Sequence, residues 1–191
     1  MTRPPFQQWT QQAQDASFTD TAEIRHRSAG FERTIHRRNM RENAAGWFGI
    51  ALSISLCVFF AWAGEFAQSV AAAILAVGFF VVMRNLRGRA SNLERRHEEP
   101  CIDHLKRQYR QQARALTSVA SWYIGPLLPG FAAMQASITW SFAQSRGWEY
   151  ALRDAIWPVA IIGIFLLGVI ALNGWAARDL RRKLAALETL D

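Results

Sequence analysis

This chain is short of the residues from which enzyme sites are built. Its 191 residues include two cysteines and four histidines. Two cysteines do not make a disulfide scaffold, and Cys57 and Cys101 are expected to be reduced and unpaired. No phosphate loop, nucleophile–base pair or catalytic cluster is legible, so an enzyme is not expected and no cofactor is called for. Charge is missing altogether from four apolar runs, at 44–64, 68–83, 116–142 and 155–176. Proton-coupled pumps and ion pathways keep ionisable residues at such depth despite their cost. Four-span multidrug exporters depend on a membrane-embedded carboxylate, and Glu65, in the turn after the first run, does not match it. No cleavable signal peptide is expected, because the first apolar run starts late and lacks the usual cleavage pattern.

What is present is length and apolarity. A bilayer core about 30 Å thick takes about 20 apolar helical residues to cross. Runs 44–64 and 155–176 meet that without a charge, and 68–83 does so once Phe66 and Ala67 join it. The third run is the least regular, with two prolines and several hydroxyl residues, but its length argues for a span.

Charge supplies the orientation. Twenty of the twenty-two Lys and Arg residues lie in 1–43, 84–115 and 177–191, and only Arg146 and Arg153 lie in the other connections. The positive-inside rule then puts both termini and the central loop in the cytoplasm. The net charge of +7 follows from that asymmetry, so nucleic acid is not an expected partner. Anionic lipid headgroups are, at roughly 1 kcal/mol per well-placed Lys or Arg. Trp47, Trp122 and Trp175 fall at the cytoplasmic ends of spans and Trp62, Trp140 and Trp157 at the outer ends, which reads as interfacial anchoring in two aromatic belts.

The predicted fold is an all-α membrane protein. Four transmembrane helices form two hairpins, with two cytoplasmic juxtamembrane helical extensions. Residues 1–18 form a flexible cytoplasmic tail and 19–43 a juxtamembrane helix. Residues 44–83 are the first hairpin, with spans 44–64 and 66–83. Residues 84–115 are a cytoplasmic helical loop. Residues 116–176 are the second hairpin, with spans 116–142 and 155–176, and 177–191 are a cytoplasmic tail. Asp20 followed by Glu23, and Ser91 followed by Glu94, are capping-box pairs. Nothing breaks the first helix before Ala44, so it is expected to run straight into span one. The helix that starts at Cys101 is expected to run likewise into span three. Ala67 and Ala71, and Ala72 and Ala76, give span two a small-residue face for close helix approach. Ser53, Ser55, Gln135, Ser137, Thr139 and Asn173 are expected to hydrogen-bond between helices.

Three clusters are candidate sites. His97, Cys101 and His104 fall at i, i+4 and i+7 and are plausible zinc ligands. Their spacing resembles the His-x3-Cys-x2-Cys element of zinc-binding anti-sigma domains. It departs where His104 replaces the last Cys and where Pro100 distorts the turn. A bound metal is not expected, and these are the residues that would carry one. Gly125, Pro126, Pro129 and Gly130 mark a kink in span three: the prolines leave the carbonyls of Trp122 and Gly125 without helical donors. In lipid, such groups need another donor or a wet cavity. A small transporter or channel component using the broken helix is the alternative functional reading. Trp9, Phe31, Ile35, Leu105 and Tyr109 are candidate anchors for a protein partner or a second copy of the chain. The apolar stripes that carry Phe31 and Tyr109 have a second use, packing on each other or on the membrane surface.

Two stretches together support a resemblance. FERTIHRRNMRENAAGW before span one and LKRQYRQQARALTSVASWYIGPLLPG leading into span three resemble a family of small, uncharacterised four-span bacterial inner-membrane proteins. Its members share the Arg/Asn-rich approach to span one and a Trp-Tyr-x-x-Pro-x-x-Pro-Gly element. The resemblance covers residues 22–180. It implies the inner-membrane location and a setting among regulatory genes, including those for sigma factors, but no catalytic residues. The expected function is a non-enzymatic regulator, scaffold or accessory subunit acting through the cytoplasmic helices, with an anti-sigma-like role as one form.

Overall fold

A computed structural model describes the backbone of residues 21–93 and 99–188, with side chains described in 29–93 and 99–188. The described residues are helical, without a strand. Helix α1 spans Thr21–Trp62, α2 Phe66–Arg89 and α3 Cys101–Thr117; a π-helical turn follows at Ala120–Ile124. Helix α4 spans Leu128–Arg146 and α5 Trp148–Glu188.

Three of these helices, α1, α2 and α5, are long and apolar enough to cross a membrane. Helix α1 is one unbroken 42-residue rod, joining the basic stretch to the apolar one as the sequence implies. Gly64, at φ +81, turns the chain between α1 and α2. Between α4 and α5 no loop forms: Gly147, at φ +88, is the hinge, and α5 starts at Trp148.

The third apolar run departs from expectation. The helix from Cys101 does not continue through 116–142 but stops at Thr117. The π turn and a turn at 125–127 intervene before α4 restarts with Pro129 in its first turn, where a missing amide costs nothing. Helix α4 is 19 residues long, and Gln135, Ser137, Thr139, Ser141 and Gln144 dilute its apolar character.

Small residues hold the packing together. Helix α1 packs along α2, α2 on α4, α4 on α5, and α3 on the basic end of α5. Ala71 and Ala72 are fully buried on the small-residue face of α2. A Cβ on Gly130 would sit 2.7 Å from the Leu75 Cα, and one on Gly78 would sit 2.5 Å from the Pro126 carbonyl oxygen. Backbone therefore meets backbone on both sides of the break. By contrast α5 leaves its most apolar stretch uncovered, with Ile164, Phe165, Leu167 and Leu172 exposed.

Polar bonds between the apolar helices come from other residues than the sequence suggested. Ser55 bonds to Ala51 O, Gln135 to Thr139, Ser137 to Met134 O and Asn173 to Val169 O, each within its own helix. Gln68 and Ser69 do cross between helices: Gln68 Nε2 donates to Ser141 Oγ at 2.9 Å, and Ser69 Oγ donates to Cys57 O at 2.9 Å.

Candidate functional site

Polar side chains converge at the basic end of the molecule, where α1, α2, α3 and α5 meet. Helix α2 ends there, and its last carbonyls have no helical donors of their own. The carbonyl of Ala90 is bonded instead from two neighbouring helices. Asn39 Nδ2 of α1 donates to it at 2.8 Å, and Gln112 Nε2 of α3 at 3.1 Å. Arg38 Nη2 then donates to Gln112 Oε1 at 3.0 Å, and Arg38 Nε lies 3.4 Å from Glu42. Burial holds the Glu42 carboxyl above its usual range, against the opposing pull of Arg38. One carbonyl thus clamps three helices.

The apolar stripes of the two extensions close on each other further along. Phe31 and Tyr109 stack edge to face, with centroids 4.6 Å apart. Ile35 of α1 and Leu105 of α3, four residues from Phe31 and Tyr109 respectively, are buried as well. Packing within the chain thus engages all four of these side chains. Trp9 lies outside the described residues.

His104 lies buried beside this layer. Its Nε2 is 3.5 Å from Glu32, its Nδ1 is 3.4 Å from Glu99, and Arg107 reaches Glu99 at 2.8 Å. Of the three zinc candidates, His97 lies outside the described residues and Cys101 is half-buried. No metal-holding group of three His, Cys, Asp or Glu occurs among the described residues. His104 sits between carboxylates of two segments, Glu32 on α1 and Glu99 just before α3, a polar clasp between them.

Beside the clasp lies a basic cavity of about 540 Å³. Arg89 from the end of α2 and Arg107, Arg110 and Arg114 from α3 line it, together with Gln111 and Ser118. Arg107 is engaged by Glu99 and Arg110 by Glu188 of α5. Arg89 and Arg114 have no acidic partner among the described residues. A further row of guanidinium groups, Arg33, Arg37 and Arg41, lies exposed along α1 with Thr34 between them.

The break in the third run is chemically closed. Pro126 cannot donate to the Trp122 carbonyl, and Asn85 Nδ2 of α2 does so at 3.0 Å. Gly125 O accepts from Leu128 N at 3.3 Å, and Gly125 N donates to Ala120 O at 2.9 Å. Both carbonyls left open by the prolines have donors. Trp122 itself is buried, and its indole N–H donates to Ala115 O at 2.8 Å. It is a core residue and not an interface anchor; Tyr123 packs edge-on against it. The other five tryptophans expected to anchor at the interfaces, Trp47, Trp62, Trp140, Trp157 and Trp175, are exposed.

At the opposite end an apolar groove of about 720 Å³ runs between α4 and α5, lined by Phe131, Trp140, Trp148 and Val159, with Gln135 and Thr139 its polar members. No protein-family model, curated protein or solved structure matches this chain, so these arrangements rest on its own residues.

Asn39, Asn85 and Gln112 escape a search for ionisable chemistry. A signal for two of them is nonetheless present in HRRN and VVMRN. Each places an amide directly after arginine at the edge of an apolar run, where a short side chain reaches an open backbone group.

Proposed function

We propose that this chain is a four-span inner-membrane protein that acts as a non-enzymatic regulator or scaffold, docking an acidic protein partner on its cytoplasmic end. The fourth span is α4 with the π turn below it. Its 19 residues rise about 28 Å at 1.5 Å each, close to the thickness of a bilayer core. With it, α1–α2 and α4–α5 are two hairpins, and the charge distribution puts the basic end and both termini in the cytoplasm. The resemblance to four-span inner-membrane proteins found among regulatory genes points the same way, and an anti-sigma-like role is one form of it.

One observation carries the docking proposal. The basic end is a prebuilt platform of helices continuous with the apolar helices, and its apolar stripes are already used internally. Among the surfaces it leaves open is the Arg33, Arg37 and Arg41 row, spaced at four residues on one face of α1. Such a row suits an acidic helix or peptide. The proline break lends transport no comparable support, since the carbonyls it opens are bonded.

Crosslinking in native membranes tests this. Arg33→Glu, Arg37→Glu and Arg41→Glu together touch no internal contact named above and should abolish the main captured species while the protein remains inserted. Capture unchanged by the triple reversal would remove the proposed face. Orientation is tested by thiol labelling of Cys101, which should react only from the cytoplasmic side.

A further inference from the structure

The α1 arginines line a pocket of about 480 Å³, and a second pocket lies between the end of α2 and α3. It is concave, about 540 Å³ in volume, and within the range of roughly 300–1,000 Å³ typical of small-ligand clefts. Its charge is one-sided. Four guanidinium groups line it, and the acids that reach it, Glu99 and Glu188, engage Arg107 and Arg110. Arg89 and Arg114 have no carboxylate partner among the described residues. Guanidinium forks of this kind match phosphate oxygens and hold them with charge-assisted bonds. Ser118 adds a hydroxyl to the lining. Gln111 belongs to the wall, with its Nε2 bonded to Arg89 O at 3.5 Å.

Position narrows the source. The apolar stretch of α2 ends at Met83, so Gly88 and Arg89 lie five to six residues beyond it, about 8–9 Å at 1.5 Å per residue. Ser118, on the other wall, lies at the edge of the third apolar run. The headgroup layer occupies about 5–8 Å on each side of the hydrocarbon. The cavity therefore spans the depth at which phospholipid phosphates sit.

We propose that this cavity is a binding site for a phosphate group, and that the headgroup of an anionic phospholipid, of the phosphatidylglycerol type, fills it. The site is distinct from diffuse attraction of lipid by surface arginines, because two cations without a carboxylate partner among the described residues converge on one cavity. A soluble phosphate compound presents the same chemistry to the cavity, and the two sources are separable.

The test uses the full chain purified in a neutral maltoside detergent. Short-chain phosphatidylglycerol, short-chain phosphatidylcholine, glycerol phosphate and inorganic phosphate are titrated separately. Bound lipid is counted by native mass spectrometry, and the thermal midpoint is followed as a function of ligand concentration. Phosphatidylglycerol should bind with a stoichiometry of one, and phosphatidylcholine should not compete. Arg89→Gln with Arg114→Gln should weaken binding at least tenfold. Arg33→Gln with Arg37→Gln, which removes the same charge from α1, should change it less than twofold. Both altered cavity positions are exposed, and Arg114→Gln alone carries the same prediction in the milder form. If glycerol phosphate or inorganic phosphate displaces the lipid at comparable concentration, the phosphate site stands and its occupant is soluble. Equal losses in the two double variants, or phosphatidylcholine binding as well as phosphatidylglycerol, would overturn the site.

Discussion

Asn85→Ala isolates the bond that closes the break. The Trp122 carbonyl sits where Pro126 offers no amide, and Asn85 Nδ2 donates to it at 3.0 Å. Truncating Asn85 leaves a carbonyl next to the buried Trp122 ring with no donor in place. An unsatisfied buried polar group costs about 1–3 kcal/mol, so the variant is expected to lose that much stability. A second substitution shows whether the carbonyl is the cause. Pro126→Ala restores an amide that can reach Trp122 O within the helix, so Asn85 becomes partly redundant. In that background the Asn85→Ala penalty should shrink by about 1 kcal/mol or more, a coupling typical of groups that share one bond. The assay is equilibrium unfolding of the four proteins in mixed micelles, titrated with a denaturing detergent and followed by far-ultraviolet circular dichroism. A penalty of the same size in both backgrounds would refute the reasoning, because the loss would then come from packing of Asn85 and not from the carbonyl.

Other perturbations follow from equally local geometry. Gly130→Ala and Gly78→Ala each drive a Cβ into opposing backbone and should each cost about 1–3 kcal/mol, whereas Gly163→Ala on α5 meets open space and should cost almost nothing in the same unfolding assay. Gln108 is buried, and neither its Nε2 nor its Oε1 has a hydrogen-bond partner among the described residues. Gln108→Met keeps the side-chain length and should stabilise the protein by about 1–3 kcal/mol; no gain would mean that the amide is hydrated. The raised pKa of Glu42 predicts a pH signature. A carboxyl whose folded pKa exceeds the usual 4.5 favours the fold most below that value, and the advantage is lost as pH rises through the raised pKa. Glu42→Gln stays neutral throughout, so it should match the parent near pH 4 and exceed its thermal midpoint near pH 8. A variant less stable than the parent near pH 8 would show that the Arg38 pair outweighs burial.

The long elements were legible because their signal is long. The run of Arg and Asn residues up to Asn43 followed by uncharged residues to Gly64 contains no breaker, and α1 is one helix from Thr21 to Trp62. The small-residue face of α2 was legible for the same reason, and Ala71 and Ala72 are buried on it. The third run was legible only as irregular. Two prolines mark where amides are missing, but not that α3 ends at Thr117 or that the open carbonyl finds Asn85 on another helix. Pairing across 37 residues of sequence leaves no local trace. Trp122 misled for a related reason. Its place at the edge of an apolar run matches an interfacial tryptophan, and only the helix opposite decides whether the ring meets lipid or protein. Here the indole N–H satisfies Ala115 O within its own segment, so the ring turns inward.

The aromatic and aliphatic residues of the two extensions make the same point with a functional consequence. An apolar stripe such as Phe31 and Ile35 looks the same in sequence whether it awaits a partner or has one in the chain. The structure pairs it with Leu105 and Tyr109, and Asn39, Arg38 and Gln112 tie the same helices together through one carbonyl. A partner recruited through that stripe would first have to pull apart a buried contact with its hydrogen bonds. A partner recruited through arginine would not. The guanidinium groups of Arg33, Arg37 and Arg41 on one helix, and of Arg89 and Arg114 around the cavity, are already at the surface and break nothing internal when they bind. Recognition at this end of the molecule should therefore be electrostatic, and its affinity should fall steeply as salt is raised. Partner capture that persists in molar salt would point back to an apolar contact, and to an opening of the α1–α3 layer that exposes Phe31 and Tyr109.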